Sequence, residues 1–378
     1  MSDEAVDVVV VGLGSIGSMA LWHLARSGQS VLGIEQFGRV HAAGAYPGES
    51  RLFRVAAKEG ALYTPTLLRS RELWQELGEA AGRDILIPAG ALHIAPGDHE
   101  DLAATLKSAE DYNLPHEVLD AAELRKRYPQ FHIEDDDRGV LDTLGGAMRP
   151  ETAVLAAQEQ ALRHGARILA DTEVTAIEPS GDGVVVRAGG AEVRARRAVV
   201  AAGPWTTRLV PELGDVLAVA SFTLTWLMPR HPELFTPDRF PGFMRDLDGE
   251  HAFGVPTLDG FSIKMSPHVI LPDVDDVADR ITDLTPEQLR WVGEIATRMI
   301  PDLVPEPVRW SIHPDSLSND KAPVIDTIAD GRIVVAAGMS GNGFKFIPVY
   351  GLALAELATH GASPWQHERF TIASHCAA

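Results

Sequence analysis

Cysteine is nearly absent: the 378 residues hold a single one, Cys376. That excludes an intrachain disulfide, a cysteine-based redox pair and a cysteine zinc site, and no metal site is expected. Basic residues are in deficit, 33 against 53 acidic ones, for a net charge of −20. Such a surface repels nucleic acid and anionic membranes, so neither is expected as a partner. No apolar run approaches the roughly 18 residues that would cross a bilayer. The opening MSDEAVD is acidic and leads straight into an apolar strand, which is not how a signal peptide is built. A cytoplasmic location is the expectation.

What is present is ordinary globular composition, 45% hydrophobic and 23% charged, over a length sufficient for two domains. Residues 8–35 organise the chain. The valines at 8–11 read as a strand buried on both faces, as in a parallel sheet. Gly12, Gly14 and Gly17 follow in G-x-G-x-x-G register. The first allows a tight turn, the second lets backbone approach a pyrophosphate, and the third lets the next helix pack close to the strand. A helix over about 16–27 would offer free N–H groups and a positive dipole end to phosphates, and Gly28 is placed to end it. A second strand at 30–34 leads to Glu35, whose carboxylate suits a ribose diol and would repel the 2′-phosphate of NADP. The unit predicts dinucleotide binding and leaves NAD and FAD both open.

The loop 41–54 carries Ser50, Arg51 and Arg54. On a helical turn the two arginines would share a face and suit a phosphate or carboxylate. Residues 63–78, 99–112, 120–128 and 150–164 read as helices, the third with Asp120 and Glu123 in a capping box. Residues 85–95 read as paired strands turning at Ala89-Gly90. Short strands follow at 139–142, 167–169, 173–179, 184–187 and 192–195, then a buried strand ends in the turn Gly203-Pro-Trp205. From about 216 to 314 the strand–helix alternation stops. Apolar alternation at 222–228 and 261–265 reads as antiparallel strands, and 285–299 as a helix capped by Thr285. This block reads as much of a second domain inserted into the first. A last buried strand opens onto the glycine turn Gly338, Gly341, Gly343, with Lys345 beside it and a helix at 348–359 behind, again a seat for an anion.

Taken together, G-L-G-S-I-G with Glu35, S-R-L-F-R at 50–54 and A-A-G-M-S-G-N-G-F-K-F at 336–346 resemble the monomeric sarcosine oxidase and N-methyltryptophan oxidase family, within the D-amino-acid and glycine oxidase superfamily. L-R-S-R-E-L-W at 68–74, A-G-P-W at 202–205 and S-I-K at 262–264 fall in family order. The resemblance implies an α/β fold, with a Rossmann-like FAD-binding domain and an inserted substrate domain built on a mainly antiparallel sheet. It implies an FAD flavoprotein that oxidises the C–N bond of a secondary amino acid by hydride transfer, with imine hydrolysis and reduction of O2 to hydrogen peroxide. It assigns Arg54 and Lys345 to the substrate carboxylate, Arg51 to a place beside the flavin, Lys264 to oxygen activation, and His268 to the substrate cavity. Gly12, Gly14, Ser15, Ile16, Gly17, Glu35, Ser50, Val174, Ala202, Gly203, Trp205, Gly338, Gly341, Gly343, Phe344 and Lys345 are implied at the cofactor.

Three positions depart from the family pattern. The cysteine that commonly attaches FAD appears here as His313, so non-covalent FAD is the expectation, with a histidyl link as the alternative. An active-site tyrosine appears as Phe253, and the histidine of S-G-H-G-F-K-F as Asn342. Both lie where the substrate's amine and side chain would sit, so the amine need not be sarcosine, and a fructosyl amino acid stays open. So do an FAD dehydrogenase with another electron acceptor and a non-catalytic subunit of a larger complex. The chain is expected as a monomer or small homo-oligomer. Residues 1–85, 145–215 and 318–378 are expected to form the FAD domain, and 86–144 and 216–317 the substrate domain. Because a neutral amine is needed for hydride loss, activity should rise as the bound ammonium deprotonates.

Overall fold

The computed structural model describes residues 5–376. Strand Val6–Val11 lies at the middle of an eight-stranded sheet. Parallel strands Val31–Ile34 and Ala191–Val200 flank it, with Arg167–Leu169 beyond the first. Parallel strands are buried on both faces, which explains why these runs are continuously apolar. Strand Ala191–Val200 is one ten-residue strand, not the two short pieces the alternation predicted. Its first half pairs antiparallel with Gly183–Ala188, and its second half pairs parallel with Ile333–Ala337 on the same edge. One strand thus joins a surface hairpin to the buried part of the sheet.

Helix Ser15–Arg26 follows the first strand and is buried from Gly17 to Ala25, packed between helices Pro150–Arg163 and Ile347–His360. Its closeness to the strand rests on glycine. A Cβ on Gly17 would stand 1.8 Å from the carbonyl oxygen of Gly12, and Gly12 itself turns with φ +84°. Gly28, at φ +86°, ends the helix as its position predicted.

A second eight-stranded sheet runs in the order Arg309–Ser318, Leu217–Leu227, Ile263–Pro267, Glu250–Val255, Gly242–Leu247, Ala91–Pro96, Asp137–Asp142, His116–Asp120. All neighbours are antiparallel except Gly242–Leu247 against Ala91–Pro96. The predicted hairpin at 85–95 is not formed. Strand Leu86–Pro88 pairs with Gly146–Met148 in a separate three-stranded sheet, which also holds Arg51–Phe53, while Ala91–Pro96 enters the large sheet. The amide of Gly90 donates to the carbonyl of Gly145, so the glycine marks a strand switching sheets. Helix Pro286–Met299 covers this sheet, capped by Thr285 and Gln288 reciprocally, and Ala121–Arg127 carries the expected Asp120–Glu123 box. Among the described residues, no helix is long and apolar enough to cross a membrane.

Candidate active site

One cavity of about 820 Å³ runs between the two large sheets, and nearly every residue singled out from the sequence faces it. Its first end is made by turns at the carboxyl ends of parallel strands, the place where open α/β sheets bind ligands. Gly12, Gly14, Ser15 and Ile16 come from the first turn and helix start, and Glu35 from the end of the second strand. Val174, Ala202, Gly203 and Trp205 complete this end. The Glu35 carboxylate is buried and braced, accepting the amide hydrogens of Leu13 at 2.7 Å and Phe37 at 3.0 Å. At Gly14 a Cβ would meet only a Tyr46 ring carbon, at 3.9 Å, so the backbone there is open apart from that ring. Gly17 packs beneath the turn and does not reach the cavity.

The middle of the cavity is built on Arg51–Phe53. That segment is an extended strand with Arg54 just past its end, not the helical turn on which Arg51 and Arg54 would share a face; both reach the cavity, at different parts of it. Arg51 is held by three backbone oxygens, donating to Ala45 and Pro47 at 2.9 and 2.6 Å and to Ser50 at 2.8 Å. Burial brings its pKa down to about 10. Lys264, on strand Ile263–Pro267, is fully buried and donates to the same Ser50 carbonyl. It lies behind the cavity wall with Ser50, not on it. Burial, then the Arg51 charge, holds its amine well below the usual lysine range. His313 faces the cavity; its Nδ1 donates to the carbonyl of Gly44 at 3.3 Å, which leaves Nε2 to accept from the Ser311 hydroxyl at 2.7 Å. Burial and Arg51 lower its pKa to about 4, so the ring is neutral at pH 7.

The far end brings Arg54 and Lys345 together from positions far apart in the sequence. Both are buried, and both donate to one oxygen: Arg54 Nη2 lies 2.8 Å and Lys345 Nζ 2.9 Å from Glu59 Oε1. Glu59 was not foreseen. Burial opposes its ionisation, but Arg54 and Lys345 outweigh that and hold its carboxyl well below the usual range. Burial brings Lys345 down to about 8, partly offset by Glu59. Arg54 Nη1 and Glu59 Oε2 are buried without a hydrogen-bond partner. Phe253, His268 and Asn342 line this end with His251 and Met244. Desolvation, then His251, lowers the pKa of His268.

The glycine turn meets the cavity through Gly338, Gly341, Gly343, Phe344 and Lys345. Ser340 within it has φ +52°, a left-handed conformation that a serine seldom adopts. Asp315, also unforeseen, holds the turn by accepting the amide hydrogen of Gly341 at 2.8 Å. Its own burial raises its pKa to about 6.

Residues 7–357 match the family described as FAD dependent oxidoreductase. The sequence is 33% identical to monomeric sarcosine oxidase of Streptomyces avermitilis, over 94% of each chain. It is 30% identical to N-methyl-L-tryptophan oxidase of Yersinia pestis, over 97% of this chain and 98% of that one. Among solved structures, the open form of NikD, an amino acid oxidase essential for nikkomycin biosynthesis, superposes with a TM-score of 0.85 at 23% identity, covering 97% of both chains.

Proposed function

The chain belongs to the FAD-dependent oxidoreductases and FAD is its cofactor; on that premise we propose that it is an oxidase of secondary, N-substituted amino acids. The observation that carries this reading is the convergence of two buried cations of the cavity lining, Arg54 and Lys345, on one oxygen of the Glu59 carboxylate behind them. The cavity suits FAD. The open side of Gly14, the start of helix Ser15–Arg26 and the braced carboxylate of Glu35 are the parts a dinucleotide needs, and they occur together.

Bound FAD supplies hydride acceptance from the carbon beside nitrogen and return of the electrons to oxygen. The chain's residues bind, orient and exclude water. Arg54 and Lys345 take the substrate carboxylate, using the free Arg54 Nη1 and displacing or sharing with Glu59. Phe253 and Met244 give an apolar wall that keeps water from the reacting carbon. His268, its pKa lowered, is neutral at pH 7 and accepts the proton that the substrate ammonium must lose. Arg51 provides positive charge near the site, which stabilises negative charge developing on oxygen, and Lys264, its amine held low by burial and by Arg51, adds to it on taking up a proton as that charge develops. Exchanging Lys264 for Met should leave anaerobic flavin reduction intact and slow reoxidation by air; unchanged reoxidation removes that role.

With Phe253 and Asn342 bordering the substrate end, we favour an N-methyl amino acid bearing a side chain over sarcosine itself. The names of the relatives, which act on sarcosine and N-methyl-L-tryptophan, support that class. We also propose that residues 1–85, 145–215 and 318–378 form one domain and 86–144 and 216–317 the other, a division supported by the membership of the two large sheets. The test of function is anaerobic mixing of the flavoprotein with sarcosine, N-methyl-L-tryptophan and an N-fructosyl amino acid. Bleaching by an N-methyl amino acid supports the proposal. Bleaching by the fructosyl compound alone moves the substrate class, and bleaching by none of these overturns it.

A further inference from the structure

The face of the second sheet that lines the substrate end continues into a cluster that the oxidase chemistry does not use. Strand registers place Met244 opposite both Phe253 and His93, and Asp246 opposite His251, so all five side chains project from one face. Asp246 is the centre of a histidine group. Its Oδ2 lies 2.9 Å from His93 Nε2, its Oδ1 2.6 Å from His251 Nδ1, and His99 Nε2 is 3.9 Å from the same Oδ1. One donor atom each from His93, His99 and Asp246 lies within 4.8 Å of the others.

Hydrogen bonding around His93 decides which way its ring presents. The Thr105 hydroxyl donates to the carbonyl of Asp101 at 2.8 Å, one helical turn back, so its oxygen is left to accept from His93 Nδ1–H at 3.1 Å. A neutral His93 then turns a bare Nε2 lone pair towards a carboxylate oxygen at hydrogen-bonding distance. Two acceptors that close need a positive centre between them. Arg54 and Lys58, the nearby cations, are already paired with Glu59 and Asp101. A proton on His93 would serve that one contact and no other. It would also leave His99 unexplained. His99 precedes helix Glu100–Asp111 at the capping position without capping it, and its Nδ1 is buried with no partner.

We propose that His93, His99 and Asp246 bind a divalent transition-metal ion, zinc by ligand type, which ties the start of helix Glu100–Asp111 to the second sheet. Two imidazoles and a carboxylate are a zinc ligand set, with a fourth position left for water. Thr105 on His93 and His251 on Asp246 are the outer partners that orient such ligands. The ligands come from two neighbouring segments and from a strand far downstream, so no spacing in the sequence marks them. The inference does not rest on the substrate assignment.

The test uses tag-free holoenzyme, stripped with chelator and titrated with zinc chloride by calorimetry, with metal counted by mass spectrometry. One zinc per chain is expected, with a higher Tm. Binding should be lost in His99→Ala and Asp246→Asn variants that keep their flavin absorbance and circular dichroism, and weakened about 10- to 100-fold in Thr105→Val. If Asp246→Asn does not fold, His99→Ala decides, because its side chain is 35% exposed and its loss leaves no large cavity. No zinc uptake by the wild type, or equal uptake by His99→Ala, overturns the proposal.

Discussion

Two cations sharing one carboxylate leave a single excess positive charge where an amino acid's carboxylate is proposed to sit. Exchanging Arg54 for Ala should weaken a carboxylate inhibitor by on the order of 1.5–3 kcal/mol, the worth of a hydrogen bond to a charged group. Glu59→Gln should tighten the same inhibitor, because the competing carboxylate is gone. Titration of flavin absorbance with inhibitor reads both, and tighter binding to the Arg54 variant would show the clamp to be misplaced. Lys345 adds a pH dependence. With a pKa of about 8 it is charged below that value and neutral above it. Inhibitor affinity should therefore fall as pH rises through about 8, and Lys345→Arg should hold it to higher pH. For catalysis this opposes the gain from deprotonating the substrate amine, so kcat/KM should be bell-shaped, its alkaline limb missing in the arginine variant. Arg54 and Lys345 were legible because their motifs are local. Glu59 was not: A-K-E-G has no distinguishing pattern, and its role appears only when two buried cations are found to need an anion.

At the scale of elements, local signals were read well and pairings poorly. Capping residues, a terminal glycine and continuous apolar runs placed the helix beginning at Ser15 and those containing Val154 and Val292. The extended conformation of Arg51–Phe53 and the separation of Leu86–Pro88 from Ala91–Pro96 depend on partners far along the chain, which no short period encodes. The glycine fingerprint is the strongest local signal and allows a sharp test. In Gly17→Ala the new methyl carbon would stand 1.8 Å from the Gly12 carbonyl, so helix Ser15–Arg26 must move off its strand. Overpacking of this kind costs about 1–3 kcal/mol, and the displaced helix start no longer points at the phosphates. The purified variant should have a lower Tm and a much lower flavin-to-protein ratio. Full flavin content would mean that the close approach does not matter to the cofactor.

Over the whole molecule, the cavity is walled by both large sheets, so its occupant bridges them. Removing FAD should lower Tm by loss of a ligand that binds only the folded state. Acid precipitation separates the two modes of attachment. A yellow supernatant is expected, since His313 presents a neutral ring with both nitrogens already engaged. A yellow pellet would show a covalent bond and direct mutation to His313. The order of the FAD cradle along the chain was legible in its three glycine turns. The site of the inserted sheet between them was legible only as a change of texture.

That three-part cradle bears on how the protein is made. Strand Val6–Val11 leaves the ribosome long before its neighbour Ala191–Val200, and longer still before Ile333–Ala337. Until then the four valines have no partner on one side, and the glycine turn Gly338–Gly343 that faces the cavity does not exist. A nascent chain therefore lacks part of its flavin site until strand Ile333–Ala337 and the glycine turn after it have been made. It carries an exposed, aggregation-prone valine strand through that interval, and in flavin-starved cells the shortfall should appear first as chaperone-bound full-length chain.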